Sequence, residues 1–220
     1  MNNRKIAFIT CVNDDVMYEE CLKYINNLEI PEGYESDIIS IQEAESITCA
    51  YNKAMNSTDA KYKIYLHQDT LIVNKNFIND ILNVFSLDNK IGMIGMTGAE
   101  IIPINAVWWD SDKKYGKVYE SHTGSMELLA FDEVCDDYKE VKAIDGFIMI
   151  TQFDIPWRED KFNGWHFYDV SQSVEFNLAG YKVVVPKQED VWCIHDCGVI
   201  KIKEEYEYYR NVFMQEYDVY

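Results

Sequence analysis

Three polar residues that directly follow an apolar stretch are the first candidates for chemistry. His67, Gln68 and Asp69 come after a strand predicted over 63–66. A carboxylate at the end of such a strand can bind a hard divalent cation, and that cation can bridge two phosphate groups. The same residues could instead form an ordinary strand end, with Asp69 capping the following segment and His67 lying at an edge.

Asp169 is the second candidate, because it lies in the first turn of a helix predicted over 167–179. A carboxylate placed there could be a general base that takes a proton from a hydroxyl group attacking an anomeric carbon. Such a base typically contributes about 10²- to 10⁴-fold. The nearby Trp165, which precedes His166, would suit stacking on a sugar face. The alternative is structural, since the helix dipole favours carboxylates at helix N-termini and Trp165 could be a core aromatic.

Cys193, His195 and Cys197 alternate along the chain, so a strand would place all three on one face. Zinc could bind such a set, but the spacing matches none of the common structural zinc patterns, and a fourth ligand would have to come from Cys135 or elsewhere. We therefore favour His195 alone as a ligand of a divalent ion, while a purely structural histidine remains the alternative.

Asp145 and Gly146 interrupt an apolar strand predicted over 141–150. Glycine inside a strand indicates a bulge or the close approach of a ligand to the backbone. The carboxylate of Asp145 could then bind sugar hydroxyl groups. The other interpretation is a bulge that serves only the geometry of the strand.

The net charge of −18 limits the classes of ligand. A nucleic-acid-binding protein needs a basic surface, and the sequence contains none. A ligand that is a phosphate ester would need a metal cation to hold it here. The chain also lacks a Walker loop, a GxGxxG loop and a GxSxG elbow, so ordinary NTPases, dinucleotide-binding proteins and serine hydrolases are disfavoured.

Strand and helix patterns alternate through the first half of the chain. This alternation predicts an α/β fold with a mostly parallel sheet flanked by helices. Sheets of this kind bind ligands beyond the carboxyl ends of their strands, which is where Asp69 falls. Residues 97–140 are predicted to form a long irregular loop or small subdomain, and the tail 201–220 a helix. The predicted strands of the first half are 5–12, 37–41, 63–66 and 91–96.

Residues 1–5 lead into the first apolar stretch without a signal-type cleavage site, and no apolar run reaches transmembrane length. We therefore expect a cytoplasmic location and free thiols. The tyrosine-rich tail leaves peripheral contact with a membrane as an alternative, although its acidic residues disfavour an anionic surface.

In their order and spacing, these segments resemble the family 2-like glycosyltransferases with a GT-A (Rossmann-like) fold. The similarity is greatest to a small bacterial branch that has His-Gln-Asp in place of Asp-x-Asp, and it extends over residues 4–200. The segments that carry the resemblance are 6–13, 46–54, 65–69, 144–147, 165–169 and 180–183, the last leading to His195.

The resemblance implies a metal-dependent, inverting hexosyl transfer from a UDP- or GDP-linked sugar to a glycan, lipid-linked or protein acceptor. It divides the domain 1–200 into a nucleotide-binding half, 1–96, and an acceptor-binding half, 97–200, with the helix 201–220 packed on it. Asp69 and His195 would hold Mn²⁺ or Mg²⁺, and Asp169 would be the catalytic base. Asp145, Gly146, Trp165 and His166 would contact the acceptor or sugar. The donor-binding residues would be Thr10, Cys11, Asn13, Gln42, Glu43, Asn52, His67, Gln68 and Asp69.

Three positions depart from the family pattern. His67 replaces the first acid of Asp-x-Asp, Gln42 and Glu43 stand where many relatives carry an aspartate that binds the base, and Ser171 replaces an acidic partner of Asp169. These departures keep a second function open, namely a non-catalytic module that binds a glycan or a partner protein on a degenerate transferase fold. A nucleotidyl- or phosphoryl-transfer enzyme and a zinc protein are further alternatives. The oligomeric state is not predicted.

Overall fold

A computed structural model describes residues 1–199 and 204–217. The helices are α1 (Asp15–Ile25), α2 (Ile47–Ser57), α3 (Phe77–Leu87), α4 (Tyr168–Leu178) and α5 (Glu204–Glu216), with one 3-10 turn at Trp108–Asp110. The strands are β1 (Asn2–Val12), β2 (Glu35–Gln42), β3 (Ala60–His67), β4 (Thr70–Ile72), β5 (Ile91–Gly95), β6 (Thr97–Ala99), β7 (Lys114–Glu120), β8 (Glu127–Ala130), β9 (Tyr138–Val141), β10 (Ala143–Ile144), β11 (Ile148–Thr151), β12 (Lys182–Pro186) and β13 (Cys193–His195).

The main sheet has seven strands in the order β2-β1-β3-β11-β5-β12-β9. Strands β2, β1 and β3 are parallel to one another, as are β5 and β12. Strand β11 is antiparallel to both of its neighbours, and the edge strand β9 is antiparallel to β12. The predicted α/β fold with a mostly parallel sheet is confirmed, and the sheet is mixed rather than purely parallel.

Strand β1 is apolar at consecutive positions, as expected for a strand of a sheet that is covered by helices on both faces. Ile6 and Phe8 pack in one core cluster with α1 and α3, whereas Ala7 and Ile9 pack in a second cluster with α2 and α4. Helix α1 begins where Asp14 accepts hydrogen bonds from two backbone N–H groups of the first turn. The first strand therefore ends directly at a helix N-terminus.

Residues 97–140, for which we predicted a long irregular loop or a small subdomain, contain strands β6, β7 and β8 and most of β9. Strands β6, β7 and β8 join β10, β13 and β4 in a second, six-stranded sheet, while β9 joins the main sheet. Strand β6 is buried but only three residues long, β7 and β9 are mostly half-buried, and β8 is largely exposed. These strands therefore lack the alternating or continuous apolar pattern that identifies a strand.

The C-terminal helix α5 packs on the domain through three buried aromatic residues, Tyr206, Tyr209 and Phe213. They contact a cluster that contains Phe162 and Phe167. Residues 200–203 and 218–220, most of which belong to the helix predicted over 201–220, lie outside the described residues. Among the helices that are described, none is both long and apolar enough to cross a membrane.

Candidate active site

Three possible metal ligands from distant parts of the chain meet at the carboxyl end of β3. His67 ends β3, Asp69 lies in the turn to β4, and His195 ends β13, which pairs with β4. Nδ1 of His67 lies 3.4 Å from Nε2 of His195. Oδ1 of Asp69 lies 3.9 Å from the first of these nitrogens and 3.6 Å from the second.

This arrangement fits a divalent cation. The point equidistant from the three atoms in their plane is about 2.1 Å from each of them, which is close to the bond lengths of nitrogen and oxygen ligands to Zn²⁺ and Mg²⁺. Oδ1 of Asp69 is buried and has no hydrogen-bond partner among the described residues. A buried carboxylate oxygen normally has a partner, and a cation would supply it.

Hydrogen bonds on the far side of each imidazole orient the two histidines. Nε2 of His67 is hydrogen-bonded to the hydroxyl group of Tyr168, and Nδ1 of His195 lies 3.1 Å from Oε1 of Glu120. The remaining ring nitrogen of each histidine is thereby directed at Asp69. Such partners fix the tautomer and orientation of metal-binding histidines. Neither of these partners, Tyr168 and Glu120, is among the site residues predicted from the sequence.

Glu120 reaches His195 because β7 and β13 are parallel neighbours with these two residues in register. Oε2 of Glu120 also lies 2.9 Å from Nδ1 of His122. Burial would raise the pKa of Glu120, but the hydrogen bond with His195 and the charges of both histidines lower it. Glu120 is therefore an anionic partner that favours an N–H group on Nδ1 of His195.

The zinc set considered from the sequence is not assembled in the described part of the chain. Cys193 is buried in the core beneath the main sheet, and only Cys197 joins Glu120 and His195 within ligand distance of one another. Cys197 lies beyond the end of β13, so the alternation assumed for a strand does not reach it.

A cavity of about 240 Å³ opens beside the three ligands. It has polar and aromatic walls that come from the loop after β1, from α2 and from the turn after β3. The side-chain amide of Gln68 joins two of these loops, because it accepts hydrogen bonds from the backbone N–H groups of Asn13 and Asp14 and donates one to Oδ1 of Asn13. The lining residues are Cys11, Val12, Asn13, Ile47, Tyr51, Leu66, His67, Gln68, Asp69 and Trp165.

Four of the expected donor-binding residues do not line this cavity. Thr10 is buried within β1. The amide of Gln42 donates to Asp15 at 3.3 Å, and Glu43 adopts a left-handed backbone conformation with φ 53°. The amide of Asn52 bonds to the backbone N–H and carbonyl groups of one residue, Trp157. Asn52 thus holds the chain near Trp157 in place.

Asp169 lies in the first turn of α4, next to Tyr168, and its carboxyl group interacts electrostatically with that of Asp145. Burial, followed by the negative charge of Asp145, raises the pKa of Asp169 to about 7. Gly146 permits this close packing: a Cβ atom on it would lie 2.7 Å from Cζ of Tyr168 and 3.0 Å from Cβ of Asp169. The glycine that interrupts the apolar run therefore serves the approach of α4 to the sheet.

Exposed aromatic rings lie on the side of the site where α5 packs. Trp165 is 42% exposed and Trp109 39% exposed. The rings of Trp109 and His166 lie 5.6 Å and 5.5 Å from the ring of Tyr206 on α5.

A larger open cavity, of about 650 Å³, lies between α3 and the segment before β13. Lys75, Lys187 and Trp192 are among its lining residues. His67, Asp69 and His195 are not among its lining residues, whereas His67 and Asp69 line the smaller cavity.

The sequence profile of a glycosyltransferase-like family matches residues 7–217. Among solved structures, the mannosyltransferase PcManGT from Pyrobaculum calidifontis, in complex with GDP-Man and Mn²⁺, is 12% identical with a TM-score of 0.52, over 88% of this chain and 57% of that chain. TarS from S. aureus is 10% identical with a TM-score of 0.59, over 89% of this chain and 37% of that chain. Its fragment 1–349 in complex with UDP-GlcNAc is 8% identical with a TM-score of 0.53, over 92% and 60% respectively.

At these identities the solved structures show a shared fold alone. This chain spans between 37% and 60% of their length. No curated protein matches the chain significantly.

Proposed function

The chain belongs to the glycosyltransferase-like family and has a GT-A-type α/β fold, and from this premise we propose that it transfers a hexose from a UDP- or GDP-linked donor. The acceptor is a hydroxyl group of a glycan, a lipid-linked molecule or a protein. The transfer inverts the configuration at the anomeric carbon. The observation that carries the proposal is the convergence of His67, Asp69 and His195 beside a cavity at the carboxyl end of β3. Sheets of this kind bind their ligands at that edge.

His67, Asp69 and His195 would hold the divalent cation, Mn²⁺ or Mg²⁺. When bound, such a cation neutralises the negative charge that grows on the leaving diphosphate. The protein carries a net charge of −18 and offers no cationic side chain of its own at the cavity, within the residues described. The ligand set therefore provides what the rest of the site lacks.

Asp169 would remove the proton from the acceptor hydroxyl. The acceptor oxygen forms a bond to the anomeric carbon while the bond from that carbon to the diphosphate oxygen breaks, and the diphosphate leaves with the electron pair. The proton passes to the carboxylate of Asp169. A base whose pKa lies near the working pH is suited to this transfer, and the pKa of Asp169 is raised to about 7 by burial and by Asp145.

Trp165 and the rings around Tyr206 would contact the acceptor. Trp165 lines the donor cavity and precedes Asp169 by four residues in the sequence. Aromatic rings with a polar edge suit sugars, which present both C–H faces and hydroxyl groups.

Ser171 supports a second candidate, a non-catalytic binding module. It stands where the family resemblance implies an acid, and its hydroxyl group is buried against the hydroxyl of Tyr217 at 2.8 Å. This position therefore stabilises the C-terminal segment instead of adding a carboxylate to the site.

Calorimetry with GDP and UDP, with and without Mn²⁺, tests the proposal together with a transfer assay over a panel of nucleotide sugars. We expect nucleotide binding that depends on Mn²⁺, and hydrolysis or transfer with at least one sugar. Absence of any nucleotide binding would refute the proposal and favour the non-catalytic module, because a module that binds a glycan or a partner protein does not need metal-dependent affinity for a nucleotide.

A further inference from the structure

The hydroxyl group of Tyr51 is buried without a hydrogen-bond partner among the described residues. Tyr51 lies on α2 and is 0% exposed, yet it belongs to the wall of the same cavity as Asp69. A buried hydroxyl that has lost its hydrogen bonds to water and gained none in the protein destabilises the fold. Tyr51 thus keeps an unused donor in a cavity wall, which indicates that a ligand satisfies it.

Packing holds the ring of Tyr51 in a single position. The rings of Tyr65 and Trp157 each lie 4.8 Å from it, and the ring of Tyr168 meets it edge-on at 6.2 Å. The phenol cannot turn toward another partner without breaking these contacts. Its hydroxyl is therefore preorganised, and a ligand would bind it without a further cost of ordering.

The hydroxyl keeps its proton at neutral pH. Burial, followed by the charges of Cys11, Tyr65 and Asp69, raises the pKa of Tyr51 well above its ordinary value. The group facing the cavity is consequently a neutral O–H donor, and an anionic oxygen is a strong acceptor for it.

The other walls of the cavity show which ligand atom would need this donor. In the described chain, no Lys or Arg lines the cavity. A bound diphosphate must then be held by the cation and by neutral donors. Asp69, which would bind the cation, lines the same cavity as Tyr51, and each has a buried oxygen atom without a hydrogen-bond partner among the described residues.

We propose that the hydroxyl group of Tyr51 donates a hydrogen bond to a phosphate oxygen of the nucleoside diphosphate in the sugar donor. This assignment rests on the proposed function. Asp69 and Tyr51 then act together: the carboxylate binds the cation that the diphosphate needs, and the phenol binds the diphosphate directly. Tyr51 is a donor-binding residue in this assignment and takes no part in proton transfer.

Tyr51→Phe tests the assignment, because it removes the hydroxyl and leaves the packed ring. In calorimetry with Mn²⁺, we expect the affinities for GDP, UDP and inorganic pyrophosphate to fall about 10- to 100-fold, as for a lost hydrogen bond to a charged group. In the absence of ligand, the melting temperature should stay unchanged or rise, since an unsatisfied buried hydroxyl has been removed.

Tyr65→Phe is the matched control. Tyr65 belongs to the same aromatic cluster and is equally buried, but it does not line the cavity, and its hydroxyl is hydrogen-bonded with the side chains of Trp157 and Thr151. This variant should have a lower melting temperature and unchanged nucleotide affinity. The two variants are thus expected to respond in opposite ways.

The outcomes separate this inference from the proposed function. If the wild-type protein binds no nucleoside diphosphate with Mn²⁺, the proposed function fails. If the wild type binds and Tyr51→Phe binds equally well, only the assignment of Tyr51 fails. A defect confined to nucleotide sugars, with normal GDP, UDP and pyrophosphate binding, would place the contact on the sugar and overturn the phosphate assignment. Equal losses of nucleotide affinity in Tyr51→Phe and Tyr65→Phe would show a general effect of packing and would also overturn the phosphate assignment.

Discussion

The hydroxyl group of Tyr168 at the start of α4 is hydrogen-bonded to Nε2 of His67 at the end of β3, 101 positions away in the sequence. Tyr168 immediately precedes Asp169, so one helical turn supplies both the partner of a metal ligand and the proposed base. Gly146 makes the contact possible, since a side chain there would collide with Tyr168. The distance between the cation site and the base is therefore set by the packing of a single helix N-terminus.

Tyr168→Phe should weaken binding of Mn²⁺ alone by about 10- to 100-fold, the usual effect of losing a hydrogen-bond partner of a metal-binding histidine. Without the hydroxyl, His67 loses the contact that directs Nδ1 toward Asp69. Calorimetric titration with Mn²⁺ measures the change. Tyr209→Phe is the control, because Tyr209 lies on α5 and its hydroxyl group donates a hydrogen bond to Asn163 instead of a metal ligand. This variant should keep full metal affinity. Equal Mn²⁺ affinities for Tyr168→Phe and the wild type would contradict the prediction.

Mn²⁺ should support nucleotide binding better than Mg²⁺, because two of the three ligand atoms are imidazole nitrogens and Mg²⁺ prefers oxygen.

Asp69→Asn should abolish the metal dependence of nucleotide binding. The same variant should be as stable as the wild type without metal, or more stable, since Oδ1 of Asp69 is buried without a partner. Melting curves with and without each ion provide the measurement. A variant that loses stability in the absence of metal would show that Asp69 has a structural role instead.

Asp169→Asn should lower the rate of transfer by about 10²- to 10⁴-fold, the usual contribution of a positioned base. Nucleotide affinity should be retained, because Asp169 does not line the donor cavity. Steady-state kinetics and calorimetry on the same preparation separate the two effects. Loss of nucleotide binding in this variant would indicate that Asp169 shapes the fold.

The rate of transfer should rise with pH through about 7, because Asp169 must be ionised to accept a proton and its pKa is raised to about 7. Asp145→Asn should move the midpoint to lower pH, since the charge of Asp145 contributes to the shift. Tyr168 and Tyr206, two further titratable groups near Asp169, stay protonated because burial raises their pKa values. The pH profile of kcat measures the shift, and an unchanged midpoint in Asp145→Asn would contradict it.

The same raised pKa has a consequence for stability. The folded pKa of Asp169 lies above the ordinary value, so the folded state favours the protonated carboxyl; this contribution is fully present below about pH 4 and is lost as the pH rises through about 7. Asp169→Asn cannot ionise, and it should therefore raise the melting temperature more at pH 8 than at pH 5. Thermal denaturation at the two pH values checks the sign.

Much of the architecture could be predicted from local patterns. The apolar run 5–12 predicts strand β1, and the helix predicted over 167–179 corresponds to α4, because burial repeats at the period of each element. The exact start of α3 is set by the fold: Asn76 precedes the helix, and the side chain of Asn74 accepts a hydrogen bond from the backbone N–H of Asn76. Both residues are polar and equally suited to capping, so composition does not separate them.

By itself, the sequence determined the α/β class, the position of Asp69 after a buried strand, and the need for a cation in a chain of net charge −18. These are properties of single segments or of the whole composition. Only the tertiary structure decided that β11 runs antiparallel between β3 and β5, that Glu120 stands in register with His195, and that Tyr168 meets His67. Each of these depends on strand register and helix packing between residues far apart in the chain, and periodicity along the chain carries no information about which distant side chains become neighbours.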